Sequence, residues 1–420
     1  MPGIVNPTLP TSLIPSAAGR SGDDPIFALN AEAQRRAAAG ESVINATLGA
    51  LMEDDGTLAV MPTVIDALAR VPIKKAAAYA PIAGDLPFLK AVIQDVYGAG
   101  VLAESTVAAA TPGGTGALYH AITNFLEPGE ALLTTNYFWG PYQTIAAHTG
   151  RRLETFEMFA PAGGFHLSAF ERALDALLAR QGRALVLLNS PCHNPTGYSL
   201  DEREWQALAE CVQAAAEKAP VAFLVDLAYA RFGSKASQNW TREAARIAER
   251  ATLLVAWSAS KSFAQYGARV GALLATHPDA GERARLSNAF SFACRGTWSN
   301  CNHLGLLAIA DLLSEPALRT RADAERERLT RLLDERVGAF NREAARAGLS
   351  YPRYEGGFFV SVFTPDPERS AARMREEGVF VVPLAAKSGG AVRVALCSTP
   401  ARDVPRLVAA LARAIPRGAR

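Results

Sequence analysis

Between residues 59 and 313, short uninterrupted apolar runs alternate with segments whose apolar residues recur at helical spacing. The runs at 131–134, 184–188, 221–225 and 252–256 contain almost no polar side chain. A strand with one face in water would alternate polar and apolar residues. An unbroken run is buried on both faces, which is the signature of a mostly parallel sheet covered by helices. Helix signals fall between the runs. Ser199-Leu200-Asp201-Glu202 reads as an S-x-x-E capping box, and Trp205, Leu208, Ala209 and Val212 follow as one apolar stripe. After Pro316 a long helical pattern runs to about Gly348, a residue suited to ending it. Within that pattern, residues 319–336 alternate charge sign and read as a solvated face. Strand-like runs at 358–363 and 392–396 complete a shorter α+β part.

A chain of 420 residues exceeds one small core, so two domains are expected. Residues 1–24, with Pro2, Pro7, Pro10 and Pro15, read as an extended arm. Residues 57–317 form the expected large domain, and 25–56 join 318–420 in a smaller one. Forty-three basic against 41 acidic residues give a net charge of +2, which offers no electrostatic case for nucleic acid or an anionic membrane. No secretory signal opens the chain, and no stretch reaches the roughly 18 apolar residues of a membrane span. The five cysteines show no paired metal spacing, and adjacent Cys192 and His193 are poorly placed to share an ion. No metal is expected, and unpaired thiols without an export signal suggest a cytoplasmic protein.

Ligands of open α/β sheets bind beyond the carboxyl ends of the strands. Polar or glycine-rich segments at 111–116, 189–197, 226–229 and 258–261 each follow an apolar run, and should meet at one rim. Lys261 follows a buried strand, where an ammonium is costly unless neutralised. A Schiff base with an aldehyde would neutralise it, while Ser258 and Arg269 suit a phosphate. Taken alone, a lysine in a surface loop explains this segment equally well. Asp226 ends another buried strand and needs a cationic partner; a protonated pyridine nitrogen or a salt bridge would each serve. A Walker-type metal site is excluded, since no G-x-x-x-x-G-K-[ST] occurs. Gly114 and Thr115 lie ahead of an expected helix at 117–126 and could present free N–H groups to a phosphate, or simply start the helix. Asn194, in Asn194-Pro195-Thr196-Gly197, is either a turn residue or a donor to a ring oxygen.

In this order, NPTG, Asp226-Leu227-Ala228-Tyr229, and Ser258-Ala259-Ser260-Lys261 with Arg269-Val270-Gly271 downstream resemble the class I aminotransferases of the fold-type I pyridoxal-5′-phosphate (PLP) enzymes. The aspartate/aromatic branch is the closest, and the resemblance runs from Asp24 to Arg393. It implies an α/β fold: a large domain with a mostly parallel seven-stranded-type sheet between helices, and a smaller α+β domain. It implies a homodimeric amino acid:2-oxo acid aminotransferase working by ping-pong exchange. Lys261 then resembles the Schiff-base lysine and proton shuttle, Asp226 the partner of the pyridinium, and Asn194 and Tyr229 the pair bonding the ring's phenolic oxygen. Gly114, Thr115, Ser258 and Arg269 resemble the phosphate cup. Trp139 resembles the aromatic on the ring face, and Tyr79 the tyrosine that reaches the neighbouring subunit's phosphate. Arg393 resembles the arginine that grips the substrate α-carboxylate; Gly49 and Phe359 fall where the small domain closes over substrate. Arg295, in Arg295-Gly296-Thr297-Trp298, resembles the arginine that crosses the dimer to a side-chain carboxylate, and aromatic enzymes of the branch can swing it aside. Aspartate or glutamate is the expected donor class, aromatic amino acids the second, with 2-oxoglutarate-type acceptors. The chain departs from the branch at Gly113, where a phosphate-binding serine stands, and at Tyr142, where a histidine supports the aspartate. A β-eliminating lyase or a decarboxylase would use the same apparatus. A non-catalytic PLP-binding regulator would need a DNA-binding domain that residues 1–24 are too few to form.

Overall fold

The computed structural model describes residues 11–20, 22, 25–386 and 389–416. Within the expected arm, the described part is largely exposed and includes one helical turn, Pro15–Ala18, begun by a proline whose fixed φ suits a first helical position. The rest of that arm, Asp24 included, lies outside the described residues.

Strand β1 (Ile44–Asn45) comes first. The central sheet is built from β2 (Thr106–Pro112), β3 (Ala131–Thr135), β4 (Arg152–Phe156), β5 (Ala184–Asn189), β6 (Val221–Asp226), β7 (Thr252–Ser258) and β8 (Val270–Thr276). Their spatial order is β2-β8-β7-β6-β5-β3-β4. Only β8 runs against its neighbours. The four apolar runs are β3, β5, β6 and β7, and successive residues feed opposite faces: Leu185 and Leu187 pack on one side, Val186 and Leu188 on the other. Strands β2 and β8 carry alanine and glycine where long apolar side chains would have announced them, and edge strand β4 carries Arg152 and Glu154.

The strands run past their apolar stretches into polar residues, and this is what builds a site. Asn189 ends β5 directly beside Asp226 at the end of β6. Ser258 ends β7 beside Gly271, near the start of β8. Because β8 is reversed, its first residues share a rim with the last residues of its neighbours, and Val270 pairs with Pro112 at the end of β2. Arg269 is thereby placed beside Gly113.

Two helix starts differ from expectation. The helix on the glycine-rich segment begins at Gly113, not after Gly116, so Gly114 and Thr115 lie in its first turn, Gly113–Phe125 being the whole element. The capping box is formed by Asp201 and Glu204, each side chain accepting the other's backbone N–H at 2.9 Å. The helix Glu202–Ala216 leaves Ser199 too far upstream, and its hydroxyl instead accepts the N–H of Cys192.

The long helix Pro316–Ala347 ends on left-handed Gly348 as expected, but its charged stretch is not uniformly solvated. Arg326 and Arg336 are buried. Arg336 donates to the carbonyls of Cys397 (2.7 Å) and Met52 (2.8 Å) and to Asp54 (2.7 Å), which satisfies a charge that would otherwise be expensive to bury. It ties residues 52–54 to the C-terminal part. Strands β9 (Phe359–Thr364), β10 (Val379–Phe380), β11 (Val382–Ala386) and β12 (Gly389–Ala395) complete the fold. β11-β12-β9 form an antiparallel sheet, and β10 pairs in parallel with β1 from the other end of the chain. No helix among the described residues is long and apolar enough to cross a membrane.

Candidate functional site

One pocket at the sheet rim is lined by Gly114, Thr115, Trp139, Tyr142, Asn189, Asn194, Asp226, Tyr229, Ser258, Ser260, Lys261, Tyr266 and Arg269, with Leu118 and Ala228. The four segments singled out in the sequence therefore meet.

Asp226 is 5% exposed. Its Oδ1 accepts the N–H of Ala228 (3.0 Å) and its Oδ2 the hydroxyl of Tyr142 (2.6 Å). It forms no ion pair among the described residues. Burial raises its pKa, opposed by these two hydrogen bonds and by the charge of Lys261. Lys261 sits in the single turn Ala259–Ser262, which Ser258 caps by accepting the N–H of Ser260. Its Nζ lies 5.2 Å from the centre of the Tyr229 ring. Desolvation lowers its pKa and Arg269 adds to that, while Asp226 opposes it. A lysine pushed toward the neutral amine beside a carboxylate pushed toward the acid is a pair fitted for proton transfer and nucleophilic chemistry.

Arg269 closes the other side. Its guanidinium is fixed by the carbonyls of Tyr266 (2.9 Å) and Pro112 (3.3 Å) and by Ser260 Oγ (3.2 Å). The departure at Gly113 has a steric account: a Cβ there would lie 2.4 Å from Arg269 Nη2, and Gly113 adopts φ +72°. Serine at this position would displace the arginine. The cup is also tight at Gly114, where a Cβ would come within 3.4 Å of Ser258.

A second group adjoins the pocket. Asn194 is held by its N–H to Asn189 Oδ1 (2.6 Å) and donates from Nδ2 to Tyr229 Oη (3.3 Å). Arg393, on β12, is buried; its Nη2 donates to Thr47 O (2.6 Å), Nη1 lies 3.5 Å from Asn194 Oδ1, and its guanidinium stacks 4.4 Å over Phe359. Gly49 abuts the same ring, since a Cβ there would meet Phe359 Cζ at 2.7 Å. Gly49, Phe359 and Arg393 thus form one cluster joined to the pocket through Asn194.

Tyr79 and Arg295 are not brought in by this chain. Tyr79 is 89% exposed. Arg295 is exposed near the end of the helix Ala280–Gly296 and donates to Ser299 Oγ (2.7 Å). Asn189, Ser260 and Tyr266 also line the pocket, beyond the residues expected from sequence. Asn189 was signalled as a polar residue closing a buried strand, as Asp226 does. Tyr266 lies between Lys261 and Arg269, and its hydroxyl accepts the N–H of Leu51 (2.9 Å), anchoring the Gly49 segment.

A mixed, mostly parallel seven-stranded sheet with a lysine, an aspartate and an arginine-backed helix start on one rim defines an α/β protein of fold type I. The sequence model of the aminotransferase class I and II family matches residues 41–411, and the chain belongs to that family. It is 31% identical over 314 residues to an aromatic-amino-acid aminotransferase of Paracoccus denitrificans, covering 72% of this chain and 77% of that one. It is 29% identical over 282 residues to an aspartate aminotransferase of Escherichia coli, covering 65% and 69%. A crystal structure of an aminotransferase from Anaerococcus prevotii superposes with a TM-score of 0.88 at 30% identity, covering 96% of this chain and 99% of that chain.

Proposed function

We propose that this aminotransferase binds PLP at the rim pocket and transfers amino groups between an amino acid and a 2-oxo acid in a ping-pong cycle, as a homodimer in the cytoplasm. The observation that carries the reading is a pair in one pocket with the Arg269 cup: Lys261, its ammonium disfavoured, and Asp226, buried without an ion-pair partner among the described residues. These residues fit PLP, with an aldehyde for Lys261, a pyridinium for Asp226 and a phosphate for Gly114, Thr115, Ser258 and Arg269. When bound, PLP supplies an electron sink for the charge left as a proton leaves the substrate's α-carbon.

The chain's own residues do the rest. Lys261, its ammonium disfavoured by burial, accepts that proton and returns it. Asp226 would stay anionic opposite the pyridinium, and Asn194 and Tyr229 would donate to the ring oxygen. Trp139, which lines the pocket, would cover one face of the ring and keep water from it. Arg393 offers a two-pronged donor to the α-carboxylate, with Gly49 and Phe359 closing beside it. Segment 25–56 acts with 318–420 as the smaller, closing unit, a grouping supported by the β1–β10 pairing and by Arg336. Exposed Tyr79 and Arg295 complete the neighbouring subunit's site, a reading supported by the exposure of Ile73 and Leu86 close by in sequence. Aspartate or glutamate is the first donor class and aromatic amino acids the second. Purified protein loaded with PLP, assayed against a donor–acceptor panel, tests this. Turnover of acidic or aromatic donors with 2-oxoglutarate is expected; release of ammonia or carbon dioxide without amino transfer would overturn it.

A further inference from the structure

We propose that Tyr142 is a positioning residue for the cofactor. Its hydroxyl, donated to Asp226 Oδ2, holds that carboxylate in place and ionised with a neutral donor. The proposal rests on the PLP reading above.

The two oxygens of Asp226 have separate donors, Ala228 N–H on Oδ1 and Tyr142 Oη on Oδ2 at 2.6 Å, so the carboxylate plane is fixed from both ends. Tyr142 cannot swing away. It is 1% exposed, and its own N–H donates to Trp139 O at 2.9 Å in the first turn of the helix Pro141–His148. Its ring meets Trp139 edge-on, 5.6 Å between centres at 85°. One side chain therefore sets both the carboxylate and the aromatic wall of the pocket. The other titratable groups that bear on the pair are Tyr229, beyond β6, and Lys261, beyond β7. Burial and then the adjacent carboxylate keep the phenol protonated, so it donates at every working pH. An unperturbed imidazole changes charge between about pH 5 and 8, and at this position the Asp226 carboxylate would offset the downward push of burial.

The test uses Tyr142→Phe and Tyr142→His as full-length protein. PLP affinity is measured by equilibrium titration, and the visible absorbance of the bound cofactor is followed from pH 5 to 9. Loss of a hydrogen bond to a buried charge predicts a PLP Kd raised about tenfold or more in Tyr142→Phe, with a displaced absorbance–pH curve. Tyr142→His is expected to bind more tightly than Tyr142→Phe and to add a titration step between pH 5 and 8 that the wild type lacks. Should the phenylalanine variant fail to fold, that added step decides alone. Wild-type affinity with unchanged absorbance curves, or a histidine variant without the extra step, overturns the proposal. A wild-type protein that binds no PLP overturns it too, and places the fault in the cofactor reading.

Discussion

The amide of Asn194 stands between Arg393 and Tyr229, with Oδ1 3.5 Å from the guanidinium and Nδ2 3.3 Å from the phenol. The residue proposed for the substrate's carboxylate and a residue proposed for the cofactor's ring oxygen therefore share one support. Removing it should disturb both partners at once. Asn194→Ala is expected to raise the PLP Kd and the KM of every donor, each on the order of tenfold. Titration with PLP and steady-state kinetics on two unlike donors check this; an effect on only one of the two constants would contradict the shared role.

Arg393 and Arg295 should separate by substrate. Every amino acid has an α-carboxylate, so Arg393→Ala should lower kcat/KM for all donors alike. Arg295→Ala should spare phenylalanine and tyrosine while costing aspartate and glutamate about 2–5 kcal/mol, a loss on the order of 30-fold or more. Equal losses on aspartate and phenylalanine would reject the role given to Arg295.

The exposure of Tyr79 and Arg295 leads to a complementation experiment. A Lys261→Ala chain and an Arg295→Ala chain, each impaired on aspartate, should recover activity on it when their subunits exchange, because one site of the hybrid regains both groups. No recovery after verified exchange would count against sites shared between subunits.

Acid should weaken the fold through two buried histidines. Burial pushes His193 down to about 3 and His120 to about 4, against an ordinary value near 6.5. The unfolded chain then binds protons that the native state refuses, so stability is full above pH 6.5 and falls as pH drops toward these values. His120 stacks on Trp298 at 4.0 Å, and His120→Phe keeps a ring there while removing the titration. Denaturant midpoints between pH 6.5 and 4 should fall less steeply in this variant, by close to one proton's worth of slope. An unchanged slope would contradict the assignment.

Much of this was legible in the residues. Continuous apolar runs announce strands buried on both faces, and the polar residue ending each run marks the rim, which is how Asp226 and the Lys261 segment stood out. What the runs did not carry was pairing. Strand β8, with its alanines and glycine, was not announced by a run of long apolar side chains, and its reversed direction, which puts Arg269 beside Gly113, is a property of the sheet. Gly113 and Tyr142 read as departures because only the assembled pocket shows Arg269 filling the space above one and Asp226 accepting from the other. Arg336 looked solvated because its partners, Met52 and Cys397, are carbonyls from distant segments that no charge pattern reveals.

Lys261 is the residue on which cofactor binding depends. Protein loaded with PLP, reduced with borohydride and digested, should carry the pyridoxyl group on the peptide containing Lys261, and Lys261→Ala should carry none. A label on Lys74, Lys75 or any other lysine, or equal labelling of the Lys261→Ala protein, would contradict it.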